Sequence, residues 1–312
     1  MSRILVTGAA GFVGQALLDA ASASGHEIVA GDIREPARLP ANAHFVRLDV
    51  RGADADRVIA EVSPAAVVHL ASIVNPSRSS TREQEYEVDV TGTSNVLTAC
   101  AAHGVRRLVV TSSGAAYGYH RDNPIPLSET DRIRGNKEFA YAHHKRLVEE
   151  MLEPARATHP QLEQVVLRVG TVLGPRLDNQ ITALFRRKRL LAIAGSASPF
   201  VFIWIDDLAA ILLRAATDGP AGIYNVAGDG ALAVDDLAER LRKPVLRIPA
   251  AVLKTVLGIG KPLGLTRYGP EQVRFLQYRP LLDNSRLKTA FGFTPSKTSS
   301  QAFDAWRESV GL

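Results

Sequence analysis

The segment Tyr141-Ala-His-His-Lys145 sets a phenol and an amine four residues apart, and within a helical pattern that spacing puts both on one face. A phenol with an ordinary pKa near 10 must fall by roughly three units, about 4 kcal/mol, before it can act as a base at neutral pH. A lysine one turn away, joined by a second nearby cation, is an adequate source of that stabilisation. Taken alone, the pair reads better as a solvated surface tyrosine and lysine. Upstream, Thr111-Ser-Ser-Gly-Ala-Ala-Tyr-Gly118 follows the apolar run Leu108-Val-Val110. A buried strand therefore ends in hydroxyls, either at a simple corner or at a reaction site.

Gly8, Gly11 and Gly14 lie in Thr7-Gly-Ala-Ala-Gly-Phe-Val-Gly14. They allow a tight turn, close approach of the backbone to a pyrophosphate, and a helix start at Phe12 and Val13 whose free N–H groups face the anion. Asp32 closes the next apolar run about 20 residues on, where a carboxylate can hold the adenosine ribose hydroxyls. Because an acid there repels a 2′-phosphate, NAD is expected over NADP. Arg34 weakens that preference unless it is only a solvated loop charge. Asp49 and Val50, after the third apolar run, read either as an adenine flank or as a plain strand-end turn.

Short apolar runs alternate with helical patterns through the first half of the chain, as in βαβ units. Strands are expected at 3–7, 27–31, 44–48, 66–70, 107–111 and 164–168, with helices near 12–24, 54–62, 82–103 and 138–157. The fold class is α/β: a Rossmann-type doubly wound parallel sheet with a smaller C-terminal α/β substrate lobe. The dinucleotide-binding domain is expected over 1–169, with returns to it around 205–226, and the substrate lobe over 170–312.

A length of 312 residues and 46% hydrophobic content support a large domain plus a lobe. The net charge of +5 is mild and dispersed, which fits an anionic small molecule and argues against nucleic acid. A single cysteine, Cys100, excludes a disulfide framework or a cysteine-rich metal site, and no metal is expected. The adjacent His143 and His144 point to different helix faces and read as solvated or packed. The opening MSRILVTGAAG has no signal-peptide pattern, so a cytoplasmic protein is expected. The apolar stretch 250–265 is broken by Lys254, Lys261 and Pro262 before the ~18 residues a membrane span needs. It reads as a core or lid helix, with contact at a membrane surface as the alternative.

The glycine pattern, HLAS at 69–72, GTSNVL at 92–97, TSSGAAYG, YAHHK, LRVGTVLGP at 167–175 and IDDLAA at 205–210 occur in one order. Together they resemble the extended short-chain dehydrogenase/reductase family, the group of epimerases, dehydratases and related alcohol dehydrogenases. The resemblance selects Ser113 as the catalytic hydroxyl, four residues before Tyr117. It implies that Tyr141 exchanges a proton with a substrate hydroxyl, that Ser113 bonds the same oxygen, and that Lys145 holds the cofactor ribose. Leu70 and Ala71 would also line the cofactor, while Ser72, Gly114, Thr171 and Trp204 would line the substrate. For Trp204 a core position is the alternative reading.

Dehydratases of the family carry Asp-Glu after the catalytic hydroxyl, where this chain has Gly114 and Ala115, so dehydration is disfavoured. Asp89 stands where the family often has Asn. A diphosphate-contacting Arg is missing from Ser198-Pro-Phe-Val201, and the run Arg186-Arg-Lys-Arg189 is either its substitute or a solvated face. The expected function is an NAD-dependent oxidoreductase of a secondary alcohol or ketone. The alternatives are a nucleotide-sugar (UDP-sugar) 4-epimerase and a non-catalytic cofactor-binding regulatory protein. The resemblance also implies a homodimer formed through the helices near 82–103 and 138–157.

Overall fold

The computed structural model describes residues 2–77, 79–175, 177–266 and 269–312. The first six strands are β1 (Arg3–Thr7), β2 (Glu27–Asp32), β3 (Ala43–Arg47), β4 (Ala66–His69), β5 (Arg107–Ser113) and β6 (Glu163–Val169). Then come β7 (Thr171–Leu173), β8 (Leu190–Ile193), β9 (Phe202–Trp204), β10 (Gly222–Val226) and β11 (Val245–Ile248). Runs such as Ile4-Leu-Val6 are apolar on consecutive residues because both strand faces are covered, as parallel pairing requires.

Seven strands form one parallel sheet in the order β3-β2-β1-β4-β5-β6-β10. All six expected strands are present, each within a residue or two of its expected limits. The seventh, β10, returns from beyond residue 170 to pair with β6, Tyr224 opposite Leu167.

The helices are α1 (Phe12–Ala21), α2 (Asp54–Val62), α3 (Arg82–Tyr86), α4 (Gly92–Ala102), α5 (Ala140–Thr158) and α6 (Gln180–Phe185). They continue with α7 (Ile205–Ala216), α8 (Val234–Leu241), α9 (Ala250–Gly260), α10 (Gln272–Gln277), α11 (Ser285–Thr289) and α12 (Ser299–Ser309). Leu17 and Leu18 of α1 pack with Leu208, Ile211 and Leu212 of α7 on one sheet face. Val58 and Ile59 of α2, Val96 and Cys100 of α4, and Val148 and Leu152 of α5 cover the other. Burying each such aliphatic side chain stabilises the fold by about 1.5–3 kcal/mol.

Two helices depart from their expected limits. The one expected over 12–24 stops at Ala21, because Ser22 and Ser24 hydroxyls donate to the carbonyls of Asp19 and Ala21 and Gly25 adopts φ +70°. The one expected over 82–103 opens with a reciprocal Thr81–Gln84 cap, then widens into a π-helical turn over Glu87–Thr91 before α4 resumes at Gly92.

Outside the main sheet, β7 pairs with β9 and β8 with β11. An aromatic cluster of Phe185, Phe200, Phe202, Trp204, Phe303 and Trp306 fills this region. Among the described residues, no helix is long and apolar enough to cross a membrane.

Candidate active site

The strand order reverses between β1 and β4, and the crevice at the carboxyl ends of the strands around such a switch point is where doubly wound sheets bind ligands. Gly8 leaves β1 at φ +73°, and a Cβ there would lie 2.6 Å from the Ala71 nitrogen. The Leu70 amide donates to the Thr7 carbonyl at 3.0 Å, so Leu70 and Ala71 border the turn. A Cβ on Gly14 would lie 2.4 Å from the Gly8 carbonyl oxygen. Gly11 caps α1 without a side-chain bond, and the first turn carries no acid, which leaves the Phe12 end of the helix suited to an anion. Asp32 accepts from the amides of Ala10 at 3.0 Å and Arg34 at 3.1 Å, which fixes its carboxylate beside the turn. These features fit the pyrophosphate and ribose of NAD.

Gly14→Ala is accordingly expected to weaken NADH binding about tenfold or more, because overpacking against backbone costs about 1–3 kcal/mol. Fluorescence titration with NADH checks this.

Asp49 and Val50 stand farther round the rim. The Asp49 carboxylate is engaged by Arg51 at 2.6 Å, and Val50 lies under α4, where a Cβ on Gly92 would meet its Cγ2 at 2.6 Å. Thr171 begins β7 and donates its amide to the Val201 carbonyl. Trp204 is 7% exposed within the aromatic cluster, its ring nitrogen donating to Asp206. Gly114 opens a tight turn after β5, with Leu282 in contact with the space a Cβ would fill.

Ser113 is the last residue of β5, and Tyr141 is the second residue of α5. The Ser113 hydroxyl accepts from the Ala115 amide at 3.1 Å, and Lys145 Nζ donates to the Thr111 carbonyl at 2.8 Å. That amine is also 5.5 Å from the centre of the Tyr141 ring. Burial pushes the Tyr141 phenol up to about 12, with a bond to Ser113 pulling it down and the Asp89 charge adding to the rise. The protein groups alone thus favour the protonated phenol at neutral pH, which leaves the depression to a cationic cofactor ring, the second cation that the sequence reading paired with the lysine. Burial also lowers the Lys145 pKa, with Asp89 and Glu149 opposing it.

A buried pair absent from the sequence reading lies next to this trio. His144 Nδ1 is 2.9 Å from Asp89 Oδ2, both side chains being no more than 5% exposed. The other Asp89 oxygen accepts from the Ser72 hydroxyl at 2.9 Å and the Ile73 amide at 2.8 Å. The π turn carries Asp89, and α5 brings His144, so two helices jointly hold the start of the loop after β4. Burial raises the Asp89 pKa, but the bond to His144, the Lys145 charge and the bonds from Ile73 and Ser72 outweigh it and hold the carboxyl below 3.8.

A depressed acid contributes stability that is complete above its unfolded pKa and is lost as pH falls through its folded value. Asp89→Asn is therefore expected to cost about 1–3 kcal/mol at neutral pH. The difference from the parent should begin to shrink below about pH 4 and should close only after pH has fallen through the lower folded value. Urea midpoints measured across pH check this.

Arg279 supplies a cation that the local sequence around Ser198 lacks. It comes from beyond α10, and its Nη1 donates to the Ser198 carbonyl at 2.6 Å. Its guanidinium carbon sits 3.9 Å from the centre of the Phe200 ring and 5.0 Å from that of Phe275. Phe275 in turn meets Tyr119 edge-on, and Tyr119 meets Phe139, which caps α5 two residues before Tyr141. Burial pushes Arg279 down to about 9, against a smaller upward pull from Tyr119. Among the described residues its Nε is buried without a hydrogen-bond partner, and no carboxylate pairs with it.

The NAD dependent epimerase/dehydratase family model matches residues 4–227. The chain belongs to this family. This epimerase/dehydratase-family member is 32% identical to the UDP-glucose 4-epimerase of Mycolicibacterium smegmatis over 239 residues, 70% of this chain and 74% of that one. It is 28% identical to the 2-alkyl-3-oxoalkanoate reductase of Stenotrophomonas maltophilia over 304 residues, 88% of each. The crystal structure of Thermus thermophilus UDP-glucose 4-epimerase in complex with NAD matches the family member's fold with a TM-score of 0.74 at 25% identity, covering 98% of both chains.

Proposed function

We propose that this protein is an NAD-dependent oxidoreductase of secondary alcohols and ketones working through Ser113, Tyr141 and Lys145. The observation that carries the reading is the convergence of hydroxyl, phenol and amine where β5 ends. Asp32 beside the glycine turn supports NAD over NADP, since its fixed carboxylate would oppose a 2′-phosphate. Gly8, Gly14, Leu70 and Ala71 would seat the dinucleotide, and Lys145 would reach its ribose.

Bound NAD would supply an acceptor and donor of hydride. Tyr141 takes the proton of the carbinol, and Ser113 donates a hydrogen bond to the same oxygen. With the phenol pushed up to about 12 by burial, Tyr141 acts as base only with added positive charge, which an oxidised nicotinamide would bring beside the Lys145 ammonium. Asp89 holds Ser72 and the backbone of Ile73, which keeps the substrate side of the loop in place. Ser113, Tyr141 and Lys145 together favour turnover over the regulatory alternative.

One observation favours a narrower reading, a nucleotide-sugar 4-epimerase. Arg279, stacked on Phe200 and without a carboxylate partner among the described residues, has the charge and fork geometry to neutralise a diphosphate. The likeness to UDP-glucose 4-epimerases supports the same direction. Incubation with UDP-glucose, read by chromatography and by NADH absorbance, separates the readings. Epimer formed without net NADH is the result that the narrower reading expects. NADH consumption with simple ketones, and none with UDP-sugars, would return the assignment to the broader class. Dimerisation through α4 and α5 belongs to the same proposal, and sedimentation as a monomer would overturn that part.

A further inference from the structure

Among the described residues, twelve large apolar side chains are exposed, and five of them, Val252, Val256, Ile259, Leu263 and Leu265, fall within fourteen residues of one another. On α9 the inward positions are Leu253 and Leu257, which pack with Ile193, Ile248 and Val273, while Gly260 is buried under the following turn. Val252, Val256 and Ile259 follow at i, i+4 and i+7 on an adjacent side, 51–59% exposed. The following turn carries Leu263 and Leu265 outward at 66% and 79%. A helix with one apolar stripe already seated on the protein core has no intramolecular use for a second.

Charge is equally uneven here. Residues 240–270 hold seven cations, Arg240, Arg242, Lys243, Arg247, Lys254, Lys261 and Arg267, and no acid. Since the chain totals +5, the remainder carries 5 − 7 = −2. Arg187, Lys188 and Arg189, all exposed, lead into β8, the partner strand of β11. Arg247 pairs with the exposed Asp235 and Lys261 with the partly buried Glu271, both outside the stretch, and pairs whose cation is half-exposed are worth about 0–1 kcal/mol. They are readily exchanged for lipid phosphates.

We propose that α9 and the turn after it, residues 250–265, dock this protein on an anionic phospholipid surface. The apolar stripe sinks to the headgroup and acyl boundary, while Lys254, Lys261 and the basic residues of the β8–β11 ribbon meet the phosphates. An acidic protein partner would match the charge but would leave five apolar side chains with nothing to bury them. The segment is too interrupted to span, so the attachment is peripheral and reversible. Because α10 packs beside α9 and presents Phe275 to Tyr119, the docked face lies next to the aromatic path leading to Tyr141.

The test is co-sedimentation of the full chain with phosphatidylcholine vesicles and with vesicles that also contain phosphatidylglycerol. Binding to the anionic vesicles that weakens as salt rises is the expected result. Val256→Asp with Ile259→Asp should lower the partition at least about tenfold. Lys254→Gln and Lys261→Gln should each lower it about fivefold on anionic vesicles only. Both sites are exposed, and unchanged NADH affinity and melting of the variants verify an intact fold. Equal sedimentation with and without anionic vesicles would overturn the proposal. So would unchanged binding by the aspartate variant, or self-association in solution that this variant abolishes without lipid.

Discussion

Tyr141→Phe is expected to lower turnover by about 10²–10⁴-fold, the range lost when a positioned general base or acid is removed. The phenyl ring keeps the volume of the partly buried site, so α5 and the Ser113 strand end should hold their positions. NADH affinity should stay within a factor of about two, because the hydroxyl acts on substrate rather than on the dinucleotide. Lys145→Met provides the contrast. Its amine bonds the Thr111 carbonyl and stands 5.5 Å from the phenol ring, so its loss should reduce both turnover and cofactor affinity. Stopped-flow or steady-state NADH absorbance, paired with NADH titration, checks both variants. Full activity in Tyr141→Phe would remove the phenol from the mechanism.

Arg168→Met should cost about 3–5 kcal/mol of folding stability, a large part of the about 5–15 kcal/mol typical of a native protein. Arg168 and Glu149 pair at 2.8 Å with side chains only 5% and 3% exposed. Arg168 also donates to the Tyr117 hydroxyl at 2.8 Å and to the Glu129 carbonyl at 3.0 Å, while Glu149 accepts from Ser112. Removing the cation strands a carboxylate in the interior. Adding Glu149→Leu to Arg168→Met should recover part of the loss, since an apolar pair needs no partner. Recovery stays incomplete because Ser112 and Tyr117 each lose a bond. Urea unfolding of the two variants beside the parent measures the difference.

The strands were legible because parallel strands covered on both faces leave uninterrupted apolar runs, and Ile4-Leu-Val6 could hardly be anything else. The glycine turn was legible for a similar reason, since Gly8 and Gly14 sit where any side chain would strike backbone. What escaped was set by distance along the chain. The return to the sheet around 205–226 was expected, but the seat of β10 beside β6 depends on residues 57 apart in the chain, Tyr224 and Leu167, and no local pattern encodes that pairing. Arg279 is eighty-one residues from Ser198, so a search around Ser198 could only find a missing cation. The Asp89–His144 pair depends on one extra residue per turn over 87–91, a change of phase that helical periodicity averages away. Lys145 Nζ lies 5.5 Å from the centre of the Tyr141 ring, but burial pushes the phenol up, and spacing does not report how dry a site is.

The last strand of the sheet also governs how this molecule could ever be divided. The chain passes residue 169 and makes β7, β8 and β9 before it comes back to lay β10 along β6. A fragment ending at 169 would hold the glycine turn, Ser113, Tyr141 and Lys145. It would also leave the open edge of β6 as a row of unpaired amides and carbonyls, a template for any other chain. The face of Val165, Leu167 and Val169 that packs with Leu208 and Ile211 would be bare as well. The chain beyond 169 is therefore part of the sheet's own framework and not a separable piece.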